Sequence, residues 1–274
     1  MIKLQFVGSS HQEALSLMKR TSLASFGVFA AIALAMPQVA LPQTPKLNTP
    51  PAGFTALFNG SDLTGWRGLK GDYSPHVQAT LAPEELATMQ TGWNTQRDMH
   101  WRVDKDKGEI VSDGMSVFLA TAKDYGDFEL YVDWLMVNHN GDSGIYLRGY
   151  PQVQIWDVDN PKEVANGAPK GSGALWNDNP DNPGKWPLVK ADNPVGSWNT
   201  FHIKMVGTRV WVWFNDKLTV DGAVLDNYFN RQIPVLSTGP VELQTHGAEI
   251  RFRNIYIREI GADEAKATLD KMAK

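Results

Sequence analysis

Hydrophobic and polar residues alternate along residues 142–157, where the sequence reads D-S-G-I-Y-L-R-G-Y-P-Q-V-Q-I-W-D. Successive side chains of a β-strand point to opposite faces, so this alternation predicts two short strands joined by a Gly-Tyr-Pro turn. The aliphatic face carries Ile145, Leu147, Val153 and Ile155. The opposite face carries Tyr146, Arg148, Gln152, Gln154 and Trp156. Such aromatic rings and planar hydrogen-bonding groups suit a sugar or another polyhydroxylated ligand better than a core.

The same alternation recurs in short segments that are separated by Gly, Asn and Asp turn signals. The predicted strands are residues 54–58, 101–103, 109–112, 117–121, 128–137, 198–206, 209–214, 218–221, 240–245 and 250–259. Asn215-Asp216 predicts a hairpin turn, and the last two segments are predicted to form the final hairpin. Many short strands with little helix predict a single all-β sandwich or barrel domain.

Three segments depart from the strand pattern. Pro83, followed by two glutamates, predicts a short helix over residues 83–89 within a small loop insertion at 70–98. Residues 262–273 predict a short amphipathic C-terminal helix. Residues 158–195 are rich in Asn, Asp, Pro and Gly, and a loop of this length inside a domain often carries function.

The N-terminal segment has the features of an export signal. Lys19 and Arg20 precede a small apolar run, from Ser25 to Ala35, that is too short to span a bilayer comfortably. Residues 1–40 are therefore predicted to be a cleaved signal peptide, which makes the mature protein periplasmic or extracellular, without stable membrane insertion. A retained anchor or a disordered tail is the alternative.

The remaining boundaries follow from composition. Residues 41–52 are proline-rich and predict a linker. The folded domain is predicted at residues 53–260, and residues 261–274 are predicted to form a helical tail.

Composition excludes several classes of function. The 274 residues are 42% hydrophobic and 20% charged, which is enough apolar material for a sizeable core. A net charge of −4 and a pI near 5.9 give no sign of nucleic-acid binding. The absence of cysteine excludes disulfides, thiolate zinc sites and a catalytic cysteine.

The sequence contains no specific metal or cofactor motif. The six histidines lack H-x-x-x-H and H-x-H spacing, and no phosphate-binding glycine loop or G-x-S-x-G elbow occurs. The acid-rich residues 157–163 offer oxygen ligands for calcium, although a solvated loop is favoured. No cofactor is predicted, and a divalent metal is left open.

Six ordered motifs resemble those of a known family. They are G-F-T-A-L-F-N-G-S-D-L-T-G-W (53–66), S-G-I-Y-L-R-G (143–149), V-Q-I-W-D (153–157), G-S-G-A-L-W (171–176), W-N-T-F (198–201) and L-Q-T-H-G…F-R-N-I-Y-I-R-E-I (243–260). Together they resemble the DUF1080 family, also called the 3-keto-disaccharide hydrolase domain, over residues 53–260. The resemblance implies a concanavalin-like jelly-roll β-sandwich, often exported, that cleaves glycosides already oxidised to a ketone at C3. Members of that family often carry an acid at the position of Gln152.

A 3-keto sugar needs different chemistry from an ordinary glycoside. Conventional glycosidases use a pair of carboxylates, but the E-x-D-x-x-E run of sandwich glycosidases is replaced here by Q-V-Q-I-W-D. A ketone at C3 acidifies the hydrogen on C2, so one base can form an enolate, the C1 substituent leaves, and water adds back. The enolate oxygen needs a hydrogen-bond donor, or a divalent metal in its place.

The candidate catalytic residues are His246, Arg148, Asp157 and Asp133. His246 is the best base by type because imidazole titrates near neutrality; a surface or turn histidine is the alternative. Arg148 is predicted to polarise the ketone or clamp the sugar, unless it forms a salt bridge. Asp157 is a candidate acid or orienter, or else opens an Asx turn, and Asp133 is a second acid or an arginine partner.

The candidate substrate-binding residues are Gln154, Gln152, Tyr146, Trp156, Gln244 and Trp176. Cross-strand pairing is the alternative for the glutamines, and core packing is the alternative for the tryptophans. The prediction is an exported enzyme with a carbohydrate partner. A non-catalytic carbohydrate-binding module of the same fold and a conventional glycosidase are the rivals.

Overall fold

The strands of the molecule form two antiparallel sheets that face each other as a jelly-roll β-sandwich, as predicted. The computed structural model describes residues 46–71 and 73–272, so the predicted signal peptide at residues 1–40 lies outside the described residues. Within the described part, no helix has the length and apolar character needed to cross a membrane.

The larger sheet has eight strands. In chain order they are β1 (Thr55–Ala56), β3 (Trp101–Asp104), β4 (Glu109–Ser112), β6 (Phe128–Met136), β9 (Asn199–Val206), β10 (Arg209–Phe214), β11 (Lys217–Val224) and β13 (Ile250–Glu259). Their order across the sheet is β11-β10-β9-β6-β13-β4-β3, and β1 also pairs with β13.

The smaller sheet has five strands. They are β2 (Trp66–Leu69), β5 (Phe118–Thr121), β7 (Asp142–Leu147), β8 (Tyr150–Trp156) and β12 (Glu242–Leu243). Their order across the sheet is β2-β5-β12-β7-β8, so β8 is an edge strand and the very short β12 is central.

The core lies between the two sheets and follows the strand period of two. Along β6, every second side chain is buried, beginning with Phe128, while the residues between are partly exposed. Ile145 and Leu147 of β7 and Val153 of β8 are fully buried on the inner face of the smaller sheet. The aliphatic face of the predicted hairpin is therefore confirmed as a core face.

The predicted strand segments are present with small changes of boundary, but two predicted connections are wrong. The turn between β7 and β8 is Arg148-Gly149, with φ of 55° and 79°, rather than Gly-Tyr-Pro. A two-residue hairpin loop of this kind needs positive φ at both positions. The segments at 240–245 and 250–259 do not form a hairpin, because β12 pairs with β5 and β7 while β13 belongs to the other sheet.

Helices occupy more of the chain than predicted. Besides the short α1 (Pro75–Gln78), α2 runs over Pro83–His100, well beyond the predicted 83–89. It packs on β2 through Trp93 and a small satellite core. The C-terminal helix, α3 (Ala262–Met272), is confirmed.

The ordered fold also begins earlier than predicted. Asn48, in the predicted linker, exchanges two backbone-to-side-chain hydrogen bonds of 2.8 and 2.9 Å with Asn254 of β13. Its Nδ2 also donates to the carbonyl of Gly108 at 2.9 Å. The end of the proline-rich segment is thus packed on the larger sheet.

Candidate functional site

The register of the smaller sheet brings two rows of side chains together on its outer face. In one row, Asp142 lies directly between Trp156 of β8 and His246, which follows β12. In the next row, Gly144 lies opposite Gln154, and its carbonyl accepts a hydrogen bond from the backbone N–H of Gln244 at 3.0 Å. Outward-facing positions of three strands therefore converge on a small area.

These rows form the floor of an open cleft of about 570 Å³. Its lining residues come from the smaller sheet and from the loops at its two sides. They are Lys70, Gly71, Ser116, Phe118, Asp142, Tyr146, Gln152, Trp156, Glu163, Asn166, Trp176, Asn177, Tyr228, Gln244, Thr245 and His246. Five of the six predicted substrate-binding residues and the predicted base thus line one cleft.

A histidine–carboxylate pair lies on the cleft floor. His246 Nδ1 is 3.4 Å from Asp142 Oδ2, and the two side chains are 67% and 18% exposed. Burial raises the pKa of the Asp142 carboxyl, and the hydrogen bond from His246 opposes that rise. An acceptor held against Nδ1 fixes the orientation of the imidazole ring and stabilises its protonated form.

Two glutamine oxygens on the cleft floor lack a hydrogen-bond partner. Gln152 is only 4% exposed, and its Nε2 donates to Gln154 Oε1. Its own Oε1 has no partner, and neither has Oε1 of Gln244. Unpaired buried acceptors carry a desolvation cost, so each favours a ligand that donates a hydrogen bond.

Gln154 lies beneath this layer and does not line the cleft. It is fully buried, and its Nε2 donates to the carbonyls of Ser143 and Ile155 at 3.2 and 3.1 Å. Gly144 makes room for the overlying side chain, because a Cβ at this position would lie 2.7 Å from Gln152 Oε1. The predicted direct sugar contact of Gln154 is therefore replaced by support of Gln152.

Three aromatic residues, Trp156, Trp176 and Tyr228, form what we call the aromatic wall on the β8 side of the cleft. The first two rings meet edge to face, with centroids 5.5 Å apart. Trp176 Nε1 donates to the carbonyl of Asn166 at 2.7 Å, and Tyr228 is 44% exposed. Next to them, Oδ1 of Asn177 is buried without a partner. This side of the cleft therefore offers apolar ring surface together with one unpaired hydrogen-bond acceptor, Asn177 Oδ1.

The opposite side of the cleft is formed by the ends of β2 and β5. Phe118 packs edge to face on Tyr146 with centroids 5.1 Å apart, and exposed Lys70 follows β2. Among the described residues that line the cleft, Lys70 is the one lysine or arginine. A positive charge is therefore available on the side of His246 that lies away from the aromatic wall.

Arg148 does not reach the cleft, contrary to the prediction. It is 2% exposed, and its Nη2 lies 2.7 Å from Asp127 Oδ1. Its other nitrogens donate to the carbonyls of Gly126 and Gly207 at 2.9 and 2.8 Å. Alternation gave the wrong face for Arg148 because the positive φ at this residue ends β7. The side chain is therefore turned out of the face that carries Tyr146.

Asp133 and Asp157 also lie away from the cleft. Asp133 belongs to the larger sheet, where it accepts hydrogen bonds from Thr200 and Asn254 at 2.7 and 2.8 Å. Asp157 is 1% exposed and accepts the backbone N–H groups of Asn140 and Asp159 at 2.7 and 3.1 Å, as in the local-turn alternative. It also lies 3.1 Å from Nδ1 of His139, so it orients a histidine, but one that does not line the cleft. Neither carboxylate is placed to act beside His246.

The sequence interpretation missed Asp142, Asn177 and Tyr228. Asp142 stands beside glycine and serine, a setting typical of a turn, yet it is the first residue of β7. Its partnership with His246 depends on the pairing of segments about a hundred residues apart, which alternation within each segment does not report. The abundance of Asn and aromatic residues in the loops was the one available signal for the other two.

Within the described residues, no group of three or more His, Cys, Asp or Glu side chains is arranged to hold a metal ion. The acid-rich segment after β8 is used locally instead. Asp157 Oδ1 accepts the backbone N–H of Asp159, and Asn160 Oδ1 accepts the backbone N–H of Lys162 at 3.0 Å.

Comparison with known proteins shows which family the chain resembles. The family model for 3-keto-alpha-glucoside-1,2-lyase-like domains matches residues 53–258. No curated protein matches the sequence. A crystal structure from Parabacteroides distasonis ATCC 8503, described as a candidate glycosyl hydrolase, is 23% identical and has a TM-score of 0.54. The match covers 79% of this chain and 100% of that one, and it shows a shared fold.

Two other solved structures are more distant. A second Parabacteroides distasonis protein described in the same way is 22% identical over 59% of this chain and 91% of its own, with a TM-score of 0.45. Carbohydrate-binding module CBM66 from Bacillus subtilis is 15% identical over 55% of this chain and 86% of its own, with a TM-score of 0.33. The family match indicates a glycosyl hydrolase-like or carbohydrate-binding jelly-roll protein.

Proposed function

Because the chain belongs to the family of 3-keto-alpha-glucoside-1,2-lyase-like domains, we propose that it is an exported enzyme that cleaves the glycosidic bond of 3-keto-glycosides, and of 3-keto-disaccharides in particular. The observation that carries the proposal is the pairing of His246 with Asp142 on the floor of a polar and aromatic cleft. A binding module needs the aromatic and amide groups but not a paired base.

His246 is proposed as the general base that removes the proton from C2. An imidazole titrates near neutrality, which suits a base that must accept a proton and return it within one turnover. Asp142, at 3.4 Å from Nδ1, holds the ring and stabilises the imidazolium that forms. Sequestering Asp142 from water strengthens that interaction, because the local dielectric is lower than in bulk solvent.

The order of groups across the cleft fits the order of atoms in the substrate. The ketone at C3, the hydrogen on C2 and the leaving group on C1 are attached to consecutive carbons, so a base at C2 lies between the other two. The sheet order places His246 between the side that carries Lys70 and the side that carries the aromatic wall. Lys70 is therefore proposed to stabilise the enolate oxygen at C3.

Each step of the proposed reaction balances. The electrons of the C2–H bond form the C2=C3 bond of the enolate, and His246 takes the proton. When the C3 carbonyl re-forms, a C1=C2 double bond appears and the C1–O bond to the leaving group breaks, with a proton returning to that oxygen. This is a 1,2-elimination. Addition of water, with hydroxyl to C1 and hydrogen to C2, completes a net hydrolysis.

The glutamines are proposed to bind sugar hydroxyls. The unpaired Oε1 atoms of Gln152 and Gln244 accept hydrogen bonds from hydroxyl groups, which relieves their desolvation cost. Gln154 holds Gln152 in place from below. A substrate that lacks those hydroxyls is expected to bind more weakly.

The proposal is tested by following sugar release from a 3-keto-disaccharide and from its unoxidised parent, with and without a chelator. Release from the keto form alone supports elimination, and chelator sensitivity would assign the enolate donor to a metal. His246→Ala is expected to lower kcat by about a hundredfold or more, the usual contribution of a general base, with binding retained.

His100→Ala is the matched control for that substitution. His100 forms a similar pair with Asp113, with 2.9 Å between Nδ1 and Oδ2, but it lies outside the cleft. Release from the unoxidised parent would instead point to a conventional glycosidase. Binding without release from either compound would make the protein a carbohydrate-binding module.

A further inference from the structure

Asp178 is a buried carboxyl group that the proposed reaction does not use. It is 1% exposed and lies in the loop directly after Trp176 and Asn177 of the cleft. Its Oδ1 accepts the backbone N–H of Asp226 at 3.0 Å, and its Oδ2 accepts Nδ2 of Asn182 at 3.0 Å. The hydrogen bond with Asp226 connects the loop that contains Asp178 with a separate segment of the chain, and we call this contact the junction.

The junction joins the two loop segments that carry Trp176 and Tyr228 of the aromatic wall. Residues 176–178 contribute Trp176, and residues 226–231 contribute Tyr228. A second hydrogen bond runs in the opposite direction, from the backbone N–H of Asn179 to Asp226 Oδ2 at 2.8 Å. The two aspartates therefore form a reciprocal pair, in which each side chain accepts a hydrogen bond from the other segment.

Two cations, Arg231 and Lys185, reinforce this junction. Arg231 donates from Nη2 to the carbonyl of Asn177 at 2.8 Å and lies 4.0 Å from Asp226. Lys185 donates to the carbonyls of Trp176 and Asp178, and its ammonium lies 5.2 Å from the Trp176 ring centroid. All three hydrogen bonds end on backbone carbonyls of residues 176–178, so they fix the path of the segment that carries Trp176.

We propose that Asp178 is a positioning residue that sets the spacing of the two segments of the aromatic wall and thereby the fit of the leaving group in the cleft. The reference to a leaving group rests on the proposed function. The reciprocal bonds with Asp226 and the carbonyl contacts of Lys185 and Arg231 carry the inference, because they connect one cleft-lining segment to the other.

We expect the junction to respond to the protonation state of Asp178. Burial raises the pKa of its carboxyl to about 8, and the nearby charge of Asp226 adds to the rise. The hydrogen bond from the Asp226 N–H, Lys185 and Arg231 oppose it. A second surface pocket lies next to this junction, and the charged residues Arg209, Asp181 and Asp221 line it. Above about pH 8, ionisation places a second negative charge beside Asp226, so the two segments are expected to separate.

The effect on stability has a definite sign. The folded pKa lies above the usual value of 3.8, so the folded protein holds one more proton than the unfolded chain at pH values between the two. Stability from this group therefore falls as pH rises through that window and is constant above it. Asp178→Asn cannot ionise, so the variant is expected to lack this part of the pH dependence.

The test compares Asp178→Asn and Asp178→Ala with the wild type across the pH range, using a 3-keto-disaccharide as substrate. The wild-type KM is expected to rise above about pH 8, whereas that of Asp178→Asn, which keeps the bond from the Asp226 N–H, stays flat. Asp178→Ala is expected to raise KM about tenfold at neutral pH, the effect of losing roughly one buried hydrogen bond, with little change in kcat.

Asp181→Asn is the matched control, because it makes the same chemical change on an exposed residue of the same loop. Amide hydrogen-exchange protection of residues 226–231 provides a readout that needs no turnover. If the wild type fails to cleave the substrate, the proposed function fails, and reduced protection in Asp178→Ala still supports the junction.

The positioning role is overturned if Asp178→Asn shows the same rise of KM above pH 8 as the wild type. It is equally overturned if Asp178→Ala retains the wild-type KM and the wild-type protection of residues 226–231. Should Asp178→Ala fail to fold, the pH profile of Asp178→Asn still decides the question.

Discussion

At the residue scale, Gln152 has a tightly defined environment on the cleft floor. Its Nε2 donates to Gln154 Oε1 while its Oε1 has no partner, and Gly144 gives it the space to lie across the sheet. Donor and acceptor therefore have separate uses. An acid at this position offers no donor toward Gln154 unless it is protonated.

We predict that Gln152→Glu destabilises the protein by about 1–3 kcal/mol at neutral pH, since two oxygen acceptors would face each other in a buried site. The defect should shrink at acidic pH, where a protonated Glu can donate to Gln154. Urea unfolding at several pH values measures it, and Gln232→Glu, on an exposed side chain, is the control. A stable variant with faster turnover would show instead that the acid is a catalytic group.

Single-residue orientation was predictable within strands and failed at their ends. Alternation correctly placed Tyr146, Gln152 and Trp156 on one face, because all three lie within β7 and β8. Arg148 obeys the same alternation in sequence, but its φ of 55° takes it out of the strand. Asp142 was missed because its partner His246 is brought to it by long-range pairing.

At the element scale, α2 shows why one end of a helix was predicted and the other was not. Pro83 and the acidic first turn mark its start. Its continuation is polar and contains Gly92, so it lacks the apolar period that identifies an amphipathic helix. The contact that stabilises it is tertiary: Gly68 of β2 lies against the carbonyl of Trp93.

Two glycine-to-alanine substitutions are predicted to act in opposite directions at this contact. A Cβ at Gly68 would lie 2.2 Å from Trp93 O, so Gly68→Ala should displace α2 and destabilise the protein by about 1–3 kcal/mol, as overpacking does. Gly92→Ala meets nothing within 4 Å and should stabilise the helix by about 0.5–1 kcal/mol. Thermal unfolding of both variants measures the difference, and equal melting temperatures would contradict the close packing.

The sequence did not determine which of the two sheets each strand joins. The segments that became β12 and β13 both alternate and are separated by a glycine turn signal, which is typical of a hairpin. Their partners are set by which core face each strand completes, and β12 is drawn between β5 and β7. Alternation identifies a strand and its buried face, but not its neighbours.

At the scale of the whole molecule, Arg148 connects the two sheets at the turn between β7 and β8. From this turn of the smaller sheet it reaches Asp127 and the carbonyl of Gly126, just before β6, and the carbonyl of Gly207, between β9 and β10. Burial lowers its pKa, and Asp127 opposes that change. The cation thus ties both layers together through hydrogen bonds.

We predict that Arg148→Met destabilises the protein by about 3–5 kcal/mol, the usual cost of removing one partner of a buried ion pair. The folded fraction should keep the wild-type kcat, because Arg148 does not line the cleft. Urea unfolding and active-site-normalised kinetics check both parts, with Arg102→Met on the exposed surface of β3 as the control. Loss of kcat in a fully folded variant would restore a catalytic role for Arg148.

The long-range strand pairing of the cleft floor has a consequence for the folding of the protein. Ser143 donates a hydrogen bond to the Gln244 carbonyl across 101 residues of chain, and the same pairing brings His246 to Asp142. Closing so long a loop is among the slower events of folding. Recovery of activity during refolding should therefore lag behind recovery of β-structure. The pair of His246 and Asp142 can form only after β12 has been inserted as the central strand of the smaller sheet.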